Sequence, residues 1–524
     1  MRIAYSGNFL GEGLRRLGQD VVDIRLSPDT SLDDILDAQD PAPDIVLIEL
    51  WGNTSLPLKM HACRRRLVAY AVDSCLNEFW QAPLLSLFDD VFFDQLLTAP
   101  RLKRLGLRAG WLPLCASEED FREPQEKLYD ISFVGRVTEH RPKRRNLLNL
   151  IAGEFSLNRV EGVSRARMQD IHAQSRIVLN ENFFNGLNLR ALQGFASGSL
   201  LLTEAGGVGM DRFFTDGRHY ASFTPDNVLD RIADILGHQG EWAAAAAAGR
   251  DACRERHTSR ARAGDLLRMV ADNAARNSRR PDSARKLAEA EAKHAYARRF
   301  GGSFEEAVML AAEAAQDHGE TGRKADHLLG LMLARSGRPG PARKRFIRAL
   351  KGKRPMLPAA ALAMSLLHEG GVRRVCEGLK PAAAYFPKGL LDVLERRNSE
   401  KSEEAVFGAL MLELARIYLE LGRASDLGFV KIEKERFPDY ALEFAMLAWD
   451  RQPSKPALDM IRRCAESCGA ALGLPPLFAA AVEKGIASRE DIAYAADLAR
   501  LCYDRERAAA LRRALETPGA QAQE

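Results

Sequence analysis

The sequence has no long apolar run, and it lacks the pattern of a secretion signal. No stretch of its 524 residues approaches the roughly 18 consecutive apolar residues that a membrane-spanning helix requires. The chain opens directly on a strand-like segment, Arg2–Ser6, with no basic region followed by an apolar core. We therefore expect a cytoplasmic protein without a transmembrane segment, or one bound to a membrane only peripherally.

Closely spaced cysteines and a strong net charge are also absent. Of the eight cysteines only Cys464 and Cys468 lie close together, and no second Cys/His pair accompanies them. This scatter favours free thiols in a reducing compartment over a metal site. The formal net charge of +4 is too balanced to indicate a nucleic-acid-binding protein.

From residue 1 to about 270, short apolar runs alternate with amphipathic helical segments, a pattern that predicts parallel sheet covered on both faces. Ten candidate strands are many for one doubly wound sheet, so we predict two sheets, joined by the polar linker Cys115–Lys127. The predicted α/β architecture is two Rossmann-like domains, 1–118 and 119–275, that face each other across a cleft. The candidate strands are Arg2–Ser6, Asp44–Glu49, Leu67–Val72, Val91–Phe93, Arg108–Leu112, Ile131–Gly135, Asn158–Glu161, Arg176–Leu179, Ser199–Thr203 and Tyr220–Phe223.

Beyond residue 280 the strand signals stop, and helical sequence rich in Ala, Leu and Arg follows. The large/small spacing of a tetratricopeptide repeat (TPR) appears over Leu329–Ala349, with weaker copies over Ala295–Ala314 and Leu414–Gly422. Small residues let paired helices approach closely, and large ones fill the seam between neighbours. We predict an all-α, TPR-like repeat domain over 281–516 and a frayed tail over 517–524.

In open parallel sheets, ligands bind beyond the carboxyl ends of the strands, and three loops at such positions are unusual. The first contains Gly135 and Arg136 and leads into the cationic run 141–145, which includes Lys143. A basic first turn opposes the helix dipole, and a bound anion would remove that conflict. We interpret this loop as a diphosphate clamp; the alternative is a glycine turn followed by a solvated basic helix start.

The second loop is rich in amides and leads into a helix that begins near Asn188. Asn188 is a favourable N-cap, and the amides behind it are suited to phosphate. Asn185 and Gln193, eight residues apart, are expected to share a helix face. Gly186 and Arg190 belong to the same candidate site; the alternative is an ordinary polar loop before an amphipathic helix.

The third loop, Glu204–Gly209, contains Gly206 and Gly207 between a strand and a helical segment. A glycine-rich turn in this position can cradle phosphate. Glycines also make turns without binding anything, so a structural role stays open.

The stretch from Tyr129 to about Leu267 resembles the group 1 glycosyltransferases, which have the GT-B fold, and more closely their CgeB-like branch. The first 118 residues fit the same branch more loosely, through Pro43–Leu47, Ala71–Asp73 and Phe88–Phe92. The repeat domain lies outside the resemblance. The matching segments are Ile131–Gly135, Ser175–Asn180, Asn188–Arg190, Ala196–Gly198, Phe213–Gly217 and His257–Leu267.

The resemblance implies that the second domain binds a nucleoside diphosphate sugar, with the diphosphate near Gly135, Arg136, Lys143 and the helix at Asn188. It implies no metal or other cofactor, because basic side chains and helix N-termini stabilise the leaving diphosphate instead. Many group 1 enzymes carry two glutamates where this sequence has Asn185 and Gln193. Amides can hydrogen-bond hydroxyls, and Gln193 is a candidate for the ribose, but neither residue supplies a negative charge.

In the first domain, Gly7 and Asn8 follow the first strand and are expected to face the acceptor side of the cleft. Arg16 breaks a G-x-G-x-x-G fingerprint, which disfavours a dinucleotide. Asp73 ends an apolar strand and is the candidate general base for the acceptor; the alternative is that it caps the next helix.

We therefore expect a metal-independent, hexosyltransferase-type glycosyltransferase that moves a sugar to an acceptor. The expected acceptor is a protein recruited by the repeats, as in protein O-glycosylation of flagellin or another surface protein. Two alternatives stay open: a non-catalytic nucleotide-binding TPR adaptor, and a nucleotide-sugar epimerase.

Overall fold

The computed structural model describes residues 1–123, 125–138, 141–182, 185–272, 280–379, 403–425 and 438–516. The chain divides into two compact units, Met1–Arg279 and Arg280–Glu524. The predicted tail, 517–524, and residues 273–275 of the predicted second domain lie outside the described residues. Of the helices formed by the described residues, none is long and apolar enough to cross a membrane.

The first sheet has six parallel strands in the order β2-β1-β3-β4-β5-β6. All of β3 is buried, as expected for a central strand covered on both faces. Strand β2 is missing from the predicted set because it is short, begins and ends with exposed aspartates and lies at the sheet edge, so it carries no apolar run. The strands are β1 Arg2–Ser6, β2 Asp20–Asp23, β3 Ile45–Leu50, β4 Arg66–Ala71, β5 Asp90–Phe93 and β6 Ala109–Trp111.

Helices and short 3-10 turns connect these strands. The predicted linker Cys115–Lys127 contains the 3-10 turn Glu118–Asp120, and its Ala116 forms a β-bridge with Thr258. The helices of this half are α1 Gly11–Arg16, α2 Leu32–Asp37, α3 Ser74–Leu85 and α4 Ala99–Arg104, and the other 3-10 turns are Met60–Ala62 and Leu96–Thr98.

The second sheet has five parallel strands in the order β11-β10-β9-β7-β8. Two all-parallel sheets joined with helices fit the two Rossmann-like domains of the GT-B fold, which confirms the predicted fold class for this part of the chain. The strands are β7 Tyr129–Val134, β8 Leu157–Val160, β9 Ser175–Asn180, β10 Leu200–Glu204 and β11 Ala221–Phe223. The helices are α5 Pro142–Ala152, α6 Arg165–Ala173, α7 Leu189–Ala196, α8 Val228–Gly237, α9 Gln239–Arg256 and α10 Ser259–Asp272.

Helix α10 does not pack where the predicted boundary of the second domain, 119–275, places it. It returns to the first half and packs on α1, where a Cβ added at Gly13 would overlap the carbonyl group of Ser259. Arg66 of β4 also donates a hydrogen bond of 2.9 Å to the carbonyl oxygen of Val270 on α10. The end of the second α/β segment therefore belongs structurally to the first half.

The second unit is helical throughout its regular elements. Its eleven helices in the described residues are α11 Asp282–Phe300, α12 Glu305–Ala314, α13 Glu320–Arg335, α14 Pro339–Ala349, α15 Met356–Leu379, α16 Glu403–Glu420, α17 Ala441–Arg451, α18 Lys455–Cys468, α19 Pro475–Glu483, α20 Arg489–Leu501 and α21 Arg505–Glu516. Helix α15 is kinked at Gly370 and Gly371, which have non-helical dihedral angles. A helix-rich C-terminal region follows the α/β part, as predicted.

The small and large residues of the predicted repeat meet in the helix pair α13 and α14. A Cβ added at Gly330 would lie 2.5 Å from the ring of Phe346, so the glycine lets the two helices approach. Ala325, Ala342 and Ala349 of these two helices are also buried. The predicted turn glycine Gly337 has a φ of +71°, which favours glycine. This pairing is what repeat spacing requires, whereas membership of the TPR family stays a prediction.

Candidate active site

The loops at the carboxyl edge of the second sheet come together, as the sequence predicts. The amide of Val208 donates to the carbonyl oxygen of Asn185 at 2.7 Å, and Gly186 and Val208 form a β-bridge. The amide of Asn182 donates to the Glu204 carboxylate at 2.9 Å. The amide-rich loop and the glycine-rich loop are therefore one connected surface.

Arg190, in the first turn of α7, joins the Gly135 loop to this surface. Its Nε donates to the carbonyl oxygen of Val134 at 3.2 Å, and its guanidinium lies 4.5 Å from the centre of the Phe133 ring. A Cβ added at Gly135 would lie 2.5 Å from Nη2 of Arg190, so the lack of a side chain at Gly135 leaves room for this guanidinium. Burial, reinforced by the neighbouring cation Arg144, lowers the pKa of Arg190 to about 9. A bound anion would offset this crowding of positive charge.

Two ion pairs connect α5 to the residues at the ends of β9 and β10. Arg144 and Glu181 are buried and lie 2.7 Å apart, and Arg144 also donates to the carbonyl oxygen of Arg136 at 2.9 Å. Lys143 lies 2.8 Å from Glu204. Lys143, which the sequence assigns to a diphosphate, thus forms an ion pair with a carboxylate at the end of β10. Its positive charge is partly neutralised by that carboxylate.

Positive charge exceeds negative charge here. We use the term cationic cluster for Arg136, Arg141, Lys143, Arg144 and Arg190, which surround the carboxylates of Glu181 and Glu204. Arg141 is within electrostatic range of Arg136, Arg144 and Glu181, and Arg190 is within range of Arg141 and Arg144. With Asp73, which is within electrostatic range of Arg141, five cations face three carboxylates among the described residues, and this leaves an excess suited to a polyanion.

Helix α7 begins as predicted at Asn188. The Asn188 side chain accepts a hydrogen bond of 2.9 Å from the amide of Ala191, and its nitrogen donates to Asn180 at 3.1 Å. The expectation that Asn185 and Gln193 share a face of this helix is wrong. Asn185 precedes the helix and adopts a left-handed conformation with φ of +55°, whereas Gln193 is a buried helical residue.

The three remaining glycines of the predicted site play different parts. A Cβ added at Gly186 would overlap the side-chain oxygen of Gln95, a residue of the first half. A Cβ added at Gly207 would lie 2.9 Å from the side-chain nitrogen Nδ2 of Asn182. Both glycines therefore allow neighbouring side chains to pack closely against the backbone. Gly206 has a φ of +82° and makes the turn itself.

In the first half, the loop of Gly7 and Asn8 surrounds an internal carboxylate. Glu49 accepts hydrogen bonds from the amides of Asn8 at 2.6 Å, Phe9 at 3.1 Å and Leu10 at 3.0 Å, and from the Tyr5 hydroxyl at 2.6 Å. A Cβ at Gly7 would overlap this carboxylate. The amides of Asn8, Phe9 and Leu10 are thus occupied by Glu49, and the acceptor-side role of Gly7 and Asn8 stays a prediction.

Asp73 lies at the carboxyl end of β4 with an exposed side chain. It adopts a left-handed conformation with φ of +48°, which is unusual for a residue other than glycine and typical of functional sites. It occupies the N-cap position of α3 without a capping hydrogen bond from its side chain, so the capping alternative is wrong for its carboxylate. Surrounding protein atoms and the nearby Asp94 carboxylate raise the pKa of Asp73 to about 7, and Arg141 in the second half partly opposes this.

The comparisons with known proteins concern the second half. Residues 126–268 match the family model described as "Glycosyl transferase-like". This match covers the cationic cluster and all three predicted loops. No curated protein matches the chain.

The α/β part also has distant likenesses among solved structures. Sucrose-phosphate synthase from Thermosynechococcus elongatus is 11% identical over 52% of this chain and 100% of its own, with a TM-score of 0.41. The Anabaena protein HepE in complex with UDP and glucose is 9% identical over 52% of this chain and 91% of its own, with a TM-score of 0.38. Likenesses this distant carry no information about activity.

Sequence reasoning missed several residues that the structure brings to the glycosyltransferase-like domain and its partner half. Glu181 follows β9 directly, and Asp94 and Gln95 follow β5. Polar residues just after an apolar strand of a parallel sheet lie at the ligand-binding edge, and that signal would have found all three. In the described residues, no group of three or more His, Cys, Asp or Glu side chains is arranged to hold a metal; metal independence stays a prediction.

Proposed function

We propose that the protein transfers a sugar from a nucleoside diphosphate sugar to an acceptor. The observation that carries this proposal is the cationic cluster, held at the loop edge of the glycosyltransferase-like domain and within electrostatic range of Asp73. The cluster would hold the donor diphosphate and stabilise it as it leaves. Asp73, in the first half, would accept the proton of the attacking hydroxyl.

The finer assignment follows from the resemblance to the CgeB-like branch. We propose a hexosyltransferase that needs no metal, because guanidinium groups and the N-terminus of α7 supply the positive charge. Asn188 caps that helix, and the first amides of a helix have no acceptor within it. Gln193 is the candidate for the ribose hydroxyls. A cytoplasmic location is part of the same proposal.

We expect Arg190→Ala to weaken binding of nucleoside diphosphates about 10- to 100-fold, because a hydrogen-bonded charge at a buried site contributes roughly 1.5–3 kcal/mol. Calorimetric titration with UDP, GDP, ADP and dTDP measures the effect. Arg167→Ala, which removes an exposed arginine of α6, is the matched control and should bind like the wild type. Unchanged binding in Arg190→Ala would place the diphosphate elsewhere.

The helical unit is proposed to recruit a protein acceptor, as in protein O-glycosylation, with flagellin or another surface protein as the example. In support, a cavity of about 700 Å³ is lined by Arg298, Arg335, Phe304, Ser365 and Glu369. Its mixture of charged and apolar side chains suits a polypeptide. Asp439 of the same unit pairs with Arg335 at 2.7 Å and with Arg298, so part of this charge is satisfied internally.

Truncation after Arg279 tests that role. We expect the truncated chain to hydrolyse donor sugar at the wild-type rate and to transfer sugar to an intact protein acceptor at least about tenfold more slowly, because tethering raises the local concentration of acceptor. Mass spectrometry of the acceptor measures transfer. A truncated chain that modifies the protein acceptor as fast as the full chain would argue against recruitment.

The amides Asn185 and Gln193 favour a second candidate, a non-catalytic nucleotide-binding adaptor, because they supply no negative charge to the reacting sugar. Thermal stabilisation by nucleotide sugars without turnover would identify the adaptor. Interconversion of the sugar without an acceptor would identify the epimerase alternative.

A further inference from the structure

One buried side chain, Gln95, contacts both halves of the α/β unit. It follows β5 in the first half and is 5% exposed. Its side-chain nitrogen donates to the carboxylate of Asp94 at 3.3 Å and to the carbonyl oxygen of Leu187 at 3.1 Å. Leu187 immediately precedes Asn188, the N-cap of α7. We call residues 185–188 the donor loop, because the proposed function assigns them to the donor.

The orientation of this amide is fixed by its neighbours. A backbone carbonyl only accepts hydrogen bonds, so the side-chain atom of Gln95 that faces Leu187 must be the amide nitrogen. The amide oxygen then faces Gly186, where any larger residue would overlap it. Both ends of the Gln95 side chain therefore contact the loop of Gly186 and Leu187, and its nitrogen also binds Asp94 in the first half.

On the acceptor side, Asp94 fixes the candidate base. Its carboxylate accepts hydrogen bonds from the amide of Asp73 at 2.8 Å, from the amide of Ser74 at 3.0 Å and from the Ser74 hydroxyl at 2.8 Å. These bonds hold Asp73 in its left-handed conformation, which would otherwise cost energy. A continuous chain of hydrogen bonds thus joins the donor loop to the backbone of Asp73.

We propose that Gln95 is a positioning residue that couples the donor loop at Leu187 to Asp73 through Asp94. The proposal rests on the proposed function, since it assigns Asp73 and the donor loop to the two substrates. Binding of a donor that orders the 185–188 loop would thereby also fix the position of Asp73. Transfer to the acceptor would then be favoured over reaction of the donor when only one substrate is bound. Gln95 touches neither substrate in this scheme.

A matched control is present in the same half. Gln81 is also buried, and its side-chain nitrogen donates to the carbonyl oxygens of Leu50 and Val72 at 2.7 and 3.1 Å. Both of these partners belong to the first half. Gln81→Leu and Gln95→Leu therefore remove the same chemistry, but only the second breaks a link between the halves.

Hydrogen exchange of the unliganded full chain is the first measurement. We expect Gln95→Leu to speed exchange about tenfold both at the amides of Asp73 and Ser74 and at those of Val208 in the glycine-rich loop and Ala191 in the first turn of α7. Gln81→Leu should leave Val208 and Ala191 unchanged. If exchange in Gln95→Leu is faster at only one of these two groups of amides, or at neither, the proposed coupling is wrong. This measurement tests the coupling even if the protein shows no sugar transfer.

Kinetics of the active protein is the second measurement. We expect Gln95→Leu to lower kcat of transfer about 10- to 100-fold with KM for the donor changed less than about threefold, and to move the acidic limb of the pH profile. Gln81→Leu should change neither. Unchanged kcat and pH profile in Gln95→Leu would overturn the positioning role, whereas absence of transfer in the wild type would overturn the proposed function.

Discussion

Asp73→Asn is expected to lower kcat of sugar transfer by about 10²- to 10⁴-fold, the range that general-base catalysis contributes. Asparagine keeps the size of the side chain and removes its ability to take up a proton. Asp73 belongs to the first half, whereas the cationic cluster belongs to the second. The Kd for nucleoside diphosphates should therefore change less than about threefold, and a split between kcat and binding is the signature of the proposed role.

The pH profile gives a second test of the same residue. A base acts only when deprotonated, so kcat/KM should rise about tenfold per pH unit below the pKa and level off above it. The surrounding protein and, to a smaller extent, the carboxylate of Asp94 raise the pKa of Asp73 to about 7. We therefore expect the acidic limb to bend near pH 7 instead of near pH 4, where an ordinary aspartate titrates.

Asp29→Asn, at an exposed aspartate of the first half, is the control and should behave as the wild type in both measurements. If Asp73→Asn keeps the wild-type rate, the acceptor base is another group. If the rate falls but the limb near pH 7 survives, the titration belongs to a different residue.

The fold was accessible from the sequence because its signals are local. Central parallel strands are nearly continuous apolar runs, as in β3 and β4, and ten of the eleven strands coincide with a predicted strand. The exception, β2, lies at the sheet edge with exposed ends, and no apolar run marks it. The return of α10 to the first half could not be predicted, because nothing in the composition of a helix states which sheet it covers.

In the candidate site, too, features with local signals could be predicted and long-range contacts could not. The loops of Gly135, Asn188 and Gly206 follow predicted strands, and the topology of a parallel sheet brings them together. The partners of individual side chains could not be predicted from the sequence, because they are far apart along the chain. Lys143 and Glu204 are separated by 61 residues, and Gln95 and Leu187 by 92. Glu49, which occupies the amides of the Gly7 loop, looks in the sequence like any polar residue within an apolar strand.

Arg144→Met is expected to destabilise the α/β unit by about 3–5 kcal/mol, because it leaves the Glu181 carboxylate buried without its partner. Arg144 and Glu181 lie 2.7 Å apart, with side-chain exposures of 3% and 0%. Methionine matches the length of the arginine stem, so packing is largely kept. A loss of this size corresponds to a fall in the thermal midpoint of the unit on the order of 10 °C, measurable by calorimetry.

The double variant Arg144→Met/Glu181→Leu separates the two contributions of this pair. It removes both charges and should recover most of the lost stability, since apolar replacements of buried ion pairs are often neutral. The cationic cluster then keeps the same net charge with one cation and one carboxylate fewer, so nucleoside diphosphate should still bind. Binding that fails in the stable double variant would show that Arg144 contacts the diphosphate itself, whereas retained binding would assign that contact to Arg190 and Arg136 and leave Arg144 to hold the loop of Arg136 in place.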